Sequence, residues 1–126
     1  MQAILLIAHG SRRAEANADL EHVASALRQR ADAPFVQCSY LELASPTIEE
    51  GGAACVERGA TEMVMLPYFL SPGIHVREDL ITARAALSER FPEVVFRLAE
   101  PLGRHPMLLT IVEERIREAA SGDAKS

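Results

Sequence analysis

The segment TEMVMLPYFLSPGIHVREDL, residues 61–80, opens as an apolar run and closes as charge. Ser71-Pro72-Gly73 separates the halves, and such a cluster stops a strand and turns the chain. Ahead of it, residues 61–70 are short, apolar and partly β-branched or aromatic, which predicts a buried strand. Pro67 inside that run marks a ladder that is ending or lies near an edge. Beyond the break, Leu80, Ala83, Leu87 and Phe91 fall on one helical stripe, predicting a helix to about Arg90.

The same strand-then-helix unit recurs on either side. Upstream, AILLIA (residues 3–8) is a strand apolar on both faces. Ser11 suits the cap of a helix reaching about Ala31, with Ala16, Leu20, Val23 and Leu27 on its stripe. FVQCSYLEL (residues 35–43) is a second strand, followed by a helix with Ser45 as cap, Pro46 at its first position and Gly59 as its stop. Gly51-Gly52 weakens that helix, so another element should press against it there. Downstream, EVVFRLA (residues 93–99) is a fourth strand, and a last helix starts near Pro106 carrying Leu108, Leu109, Val112 and Ile116. The polar SGDAKS (residues 121–126) reads as a frayed tail. Four alternating units predict an α/β domain over residues 1–120: a four-stranded parallel sheet flanked by helices on both faces.

Composition narrows the function classes. With 48% apolar and 25% charged residues, the 126-residue chain has a soluble balance. No apolar run reaches membrane-spanning length. AILLIA lacks the basic flank and cleavage site of a signal peptide. Cys38 and Cys55 are isolated among apolar residues and read as reduced core thiols, so a cytoplasmic protein is expected. A net charge of −5 disfavours general nucleic-acid binding but leaves room for a locally basic site for an anionic small ligand.

In parallel α/β sheets ligands bind at the carboxyl ends of the strands. The four exits here carry AHGSRR with His9, Ser11, Arg12 and Arg13; LELASP with Glu42; SPGIHVRED with His75 and Arg77; and EPLGRHP with Arg104 and His105. Each has a plain alternative. His9 fits a capping or core histidine, His75 a solvated loop residue, His105 a helix-start residue, Glu42 a surface carboxylate. Arg12 and Arg13 open a helix whose dipole disfavours cations, a conflict settled by an anionic partner or by reaching into water. His22, mid-helix, should face solvent. Together, His9, Glu42 and His75 come from independent loops on one rim. The spacing fits no structural zinc site, no nucleophile elbow, and no glycine-rich phosphate loop. Ala8 stands where a histidine phosphatase would have a basic residue. Two neutral imidazoles hold a divalent transition metal loosely, or take protons near neutral pH.

LLIAHGSR, YLELASPTIEEG, LPYFLSPGIHVREDL and PLGRHPML, in this order, resemble the small sirohydrochlorin chelatases of the CbiX type, within the class II tetrapyrrole chelatases, over about residues 3–120. The resemblance implies a chelatase-like three-layer sandwich and insertion of Co²⁺ or Fe²⁺, or Ni²⁺ in some relatives, into sirohydrochlorin for cobalamin- or siroheme-type synthesis. The metal is then a substrate, with no permanently bound cofactor. His9 and His75 match the positions acting at the metal, and Glu42 an acidic position beside it. Ser11, Arg12, Arg77 and Arg104 are the expected partners of the substrate carboxylates. A homodimer is also implied, with no membrane or nucleic-acid partner. A non-catalytic metal- or tetrapyrrole-binding carrier, and a domain serving only dimerisation, are the alternatives.

Overall fold

The computed structural model describes residues 1–122; residues 123–126 of the expected tail lie outside that range. The elements alternate as the sequence requires: β1 (Gln2–Ala8), α1 (Ala14–Arg28), β2 (Phe35–Tyr40), α2 (Ile48–Glu57), β3 (Glu62–Pro67), α3 (Ile74–Arg90), β4 (Val95–Leu98) and α4 (Pro106–Ala120). The four strands form one parallel sheet in the order β2-β1-β3-β4. The chain steps one way from β1 to β2 and the other way from β3 to β4. The reversal of strand order therefore lies between β1 and β3.

Strand periodicity sorts the core into two layers. Leu5 and Ile7 of β1, Met63 and Met65 of β3 and Phe96 of β4 pack with Ile48, Cys55, Leu80 and Leu87 of α2 and α3. Leu6, Val36, Cys38 and Tyr40 face the other way, onto Leu20 and Ala24 of α1. Right-handed crossovers dictate this split, because α1 links strands running in the opposite lateral direction from α2 and α3. The paired glycines are explained as expected: a Cβ on Gly51 would lie 2.9 Å from Leu5 Cδ1, and one on Gly52 2.8 Å from Leu87 Cδ2. Only a helix without side chains there can sit this close to both β1 and α3.

Several boundaries differ from the sequence expectation. Arg13, not Ser11, precedes α1, which ends at Arg28. The second strand stops at Tyr40, so Glu42 belongs to the following loop. Thr47, not Ser45, caps α2: its hydroxyl accepts from Glu50 N at 3.2 Å while the Glu50 carboxylate accepts from Thr47 N at 2.8 Å. This reciprocal box outcompetes a Ser45 cap, and Pro46 instead accepts from Tyr40 N through its carbonyl. Pro67 ends β3 and is buried in an inner strand, so it marks the end of a ladder rather than an edge.

α4 is the exception to the layering. It has no buried residue and no extended contact with any other helix or strand.

Candidate functional site

The rim is built by two close approaches of backbone. Gly10 has φ +101°, and a Cβ there would lie 1.8 Å from the Glu42 carbonyl oxygen. Leu41 N and Glu42 N donate to Ala8 O and His9 O, each at 3.0 Å. The β1 and β2 exits thus run side by side, which is why the motif is His-Gly. At the other end, a Cβ on Gly103 would lie 1.7 Å from Leu70 O, and Leu102 N donates to Phe69 O at 2.8 Å. The β3 and β4 exits are joined by the same device.

These approaches place the side chains. His9 Nε2 lies 2.9 Å from Glu42 Oε1, both side chains being about half exposed. The Phe69 ring, from the β3 exit, meets the His9 ring edge-on at 6.4 Å between centroids. His9 is therefore held from one side by a carboxylate and from the other by an aromatic ring. This lies over the β1–β3 reversal point, where α/β sheets open their binding crevice. His75 is not in a loop: with Gly73 as the preceding cap it occupies the first turn of α3, exposed. Its side chain makes no hydrogen bond or ion pair among the described residues, and no three His, Cys, Asp or Glu side chains there converge as a metal cage.

The cations divide between the two ends. Arg12 and Arg13 stand exposed before α1. Arg77 and Arg104 line a groove of about 700 Å³ with Leu70, Pro72, Glu100 and Leu108. Ser11 braces the turn into α1, its hydroxyl accepting from Arg13 N at 3.1 Å. Asn17 clasps the Ser11 backbone, accepting from Ser11 N at 3.0 Å and donating to Ser11 O at 2.8 Å. His105 caps α4, its Nδ1 accepting from Met107 N at 3.1 Å, and His22 is exposed on α1. Cys38 and Cys55 are free and buried. Burial, then Glu21 nearby, pushes the Cys38 thiol up to about 12; burial pushes Cys55 up to about 11. Thiols so disfavoured as thiolates are neither nucleophiles nor metal ligands.

Phe69, Asn17 and Gly103 are parts of the rim that sequence reasoning misses. Phe69 reads as part of an apolar strand that in fact ends at Pro67. Asn17 has a legible signal, a polar residue on the inward side of a helix start. Gly103 has a weaker one, a lone glycine between a proline and a helix cap.

The CbiX family model matches residues 3–119. The chain belongs to the CbiX family. It is 36% identical over 124 residues to the chloroplastic sirohydrochlorin ferrochelatase of Arabidopsis thaliana, covering 96% of this chain and 55% of that protein. It is 29% identical over 126 residues to the sirohydrochlorin cobaltochelatase of Sulfolobus acidocaldarius, covering 100% and 98%. The crystal structure of the sirohydrochlorin chelatase SirB from Bacillus subtilis subspecies spizizenii, in complex with cobalt, superposes with a TM-score of 0.83 at 32% identity, over 93% of this chain and 50% of that one. This CbiX-family chain thus spans 40% to 55% of four long relatives and nearly all of a short one. The parallel sheet with helices on both faces is the fold of these chelatase structures.

Proposed function

We propose that this chain is a sirohydrochlorin chelatase that inserts Co²⁺ or Fe²⁺, with Ni²⁺ a further substrate to test, into sirohydrochlorin for cobalamin- or siroheme-type synthesis. The observation that carries this is the His9–Glu42 pair at 2.9 Å, set over the strand-order reversal of a CbiX-family sheet. Metallation must strip water from a divalent ion, remove two pyrrole protons and bend a flat macrocycle. His9 and His75 are read as nitrogen donors to the incoming ion, at the roughly 2.0–2.2 Å usual for imidazole. Glu42 orients the His9 ring, as carboxylates do for metal-binding imidazoles, and stands ready to relay a pyrrole proton. Two imidazoles without a closed cage suit a metal that must leave the protein for the ring.

Sirohydrochlorin carries many carboxylates. Arg77 and Arg104 in the groove, with Arg12 and the backbone around Ser11, are read as their partners. Residues 1–120 are read as one chelatase-like domain, with a second copy of the chain standing where long relatives continue. Buried reduced thiols fit a cytoplasmic setting, and among the described residues no helix is long and apolar enough to cross a membrane.

The test is visible-absorbance metallation of sirohydrochlorin with Co²⁺, Fe²⁺ and Ni²⁺ in parallel. Acceleration over the spontaneous reaction, lost in His9→Ala and His75→Ala, is the expected result. Stoichiometric binding without acceleration makes the chain a carrier, and full rates in both variants overturn the histidine mechanism.

A further inference from the structure

Beside the arginine groove lies a second, smaller recess of about 80 Å³, where α3 meets the exits of β3 and β4. Leu80 and Ile81 line it from α3, and Pro67, Leu98 and Ala99 from the strand ends. Arg77 and Glu100, with Pro72 and Pro101, line both spaces. The two are therefore neighbours, one roomy and cationic, the other small and mostly apolar.

The recess is built in advance of any occupant. Pro67, Pro72 and Pro101 stand in its wall, and a proline ring fixes its own backbone torsion. Ala99 N donates to Met65 O at 2.9 Å and Leu102 N to Phe69 O at 2.8 Å, which ties the β4 exit to the β3 exit. Pro67 and Leu80 are buried, whereas Ile81 is 47% exposed, so the recess reaches the surface. Close-packed side chains leave few voids larger than a water molecule, and an apolar one holds water poorly. Such a space suits a small apolar group brought by a ligand.

Charge narrows the occupant further. Arg77 draws a carboxylate to the shared boundary. Glu100, on the same boundary, repels a second carboxylate, and the apolar wall gives that charge no compensation. The group that enters the recess is therefore uncharged. A methyl group fits, being close in size to a water molecule at about 30 Å³; the macrocycle itself does not.

We propose that this recess is a methyl subsite. It receives a methyl group that shares a ring carbon with an acetate arm, while Arg77 takes the acetate. Sirohydrochlorin carries that substitution on its reduced rings. Uroporphyrin has the same acid arms and lacks those methyl groups. The recess thus selects among polycarboxylate macrocycles that the arginines alone do not tell apart. The inference rests on the chelatase reading above and names how that site chooses its macrocycle.

Absorbance titration of the full chain with metal-free sirohydrochlorin and metal-free uroporphyrin tests it. The wild type should bind sirohydrochlorin at least about 10-fold more tightly, the usual worth of one methyl group in an apolar pocket. Ala99→Leu fills the recess and should remove that preference by weakening sirohydrochlorin alone. Ile81→Ala, at an exposed position that the fold does not depend on, should lower the preference by about 3-fold through loss of a wall. Circular dichroism checks folding, and if Ala99→Leu does not fold, Ile81→Ala decides. Equal affinity of the wild type for both macrocycles overturns the methyl subsite and leaves the chelatase reading standing. So do variants that weaken both macrocycles alike, or neither. Binding of neither macrocycle by the wild type overturns both readings. A preference for sirohydrochlorin that the variants erase, without metallation, upholds the subsite and counts against the chelatase reading alone.

Discussion

The two ends of the rim are built alike and equipped differently. At the β1–β2 end, Gly10 lets one exit loop run against the Glu42 carbonyl; at the β3–β4 end, Gly103 does the same against Leu70. The first junction sets an imidazole beside its carboxylate, 2.9 Å apart and both about half exposed. The second leaves a groove of about 700 Å³ with two guanidinium groups on its wall. One device thus yields a small, aimed nitrogen donor at one end and a roomy cationic surface at the other. Under the proposed function the first would serve the metal ion and the second the polycarboxylate, and Phe69 spans the boundary by meeting His9 edge-on from the β3 side.

The strongest way to break this comparison is to remove the shared device. Gly10→Ala and Gly103→Ala each drive a methyl group into a backbone carbonyl that side-chain motion cannot clear. Gly10→Ala adds a left-handed backbone, so it should lower the unfolding free energy by at least about 3 kcal/mol, and Gly103→Ala by about 2 kcal/mol. Urea titrations measure both, and equal losses would show that the φ of Gly10 carries no strain for alanine.

The next test separates the ends by kinetics. His9→Ala should lower kcat for metallation by about 100-fold or more with KM for the tetrapyrrole little changed. Arg77→Ala/Arg104→Ala should raise KM about 10-fold or more while kcat holds, because uniform binding is lost. The reverse pattern would exchange the roles given to the two ends. Glu42→Gln keeps the shape and removes the charge. It should weaken turnover about 10-fold, in the range for a residue that orients a metal-binding imidazole, and Glu42→Ala should do more. Glu42 is half exposed, so neither should alter stability by more than about 0.5 kcal/mol.

How much of each end is legible in the sequence follows from the kind of signal each uses. The alternation of strands and helices is readable because burial on a sheet and on a helix imposes different periods on the chain. Leu5, Leu6 and Ile7 form a short wholly apolar run because both faces of β1 are covered, whereas α1 buries only Leu20 and Ala24, one turn apart. His9, Glu42 and His75 are readable as rim residues because topology alone sends strand exits to one edge. The pairing of His9 with Glu42 is not, since it depends on β1 and β2 being neighbours with Ala8 opposite Tyr40. His75 reads as a loop residue because Ser-Pro-Gly ends a strand and caps a helix with the same residues. The pattern of α4 predicts an ordinary covering helix. In the structure it covers little: it has no buried residue and no extended contact with another helix or strand.

The smallest effect tests the same two ends through the backbone. Leu43 and Arg104 are the described non-glycine residues at positive φ, 63° and 66°, one in each half of the rim. Neither side chain has a conformational reason to be there, since left-handed backbone costs about 1 kcal/mol or more outside glycine. Leu43→Gly and Arg104→Gly should therefore each raise stability by about 0.5 kcal/mol, the strain relieved less the greater freedom of glycine in the unfolded chain. Their functional outcomes should diverge. Leu43 is a 52% exposed apolar residue beside Glu42, and its loss should leave KM unchanged. Arg104→Gly should gain the same stability and still raise KM for the tetrapyrrole. A gain in stability with worse binding is what a strained residue kept for a ligand produces, whereas equal kinetics in both variants would remove Arg104 from the substrate wall.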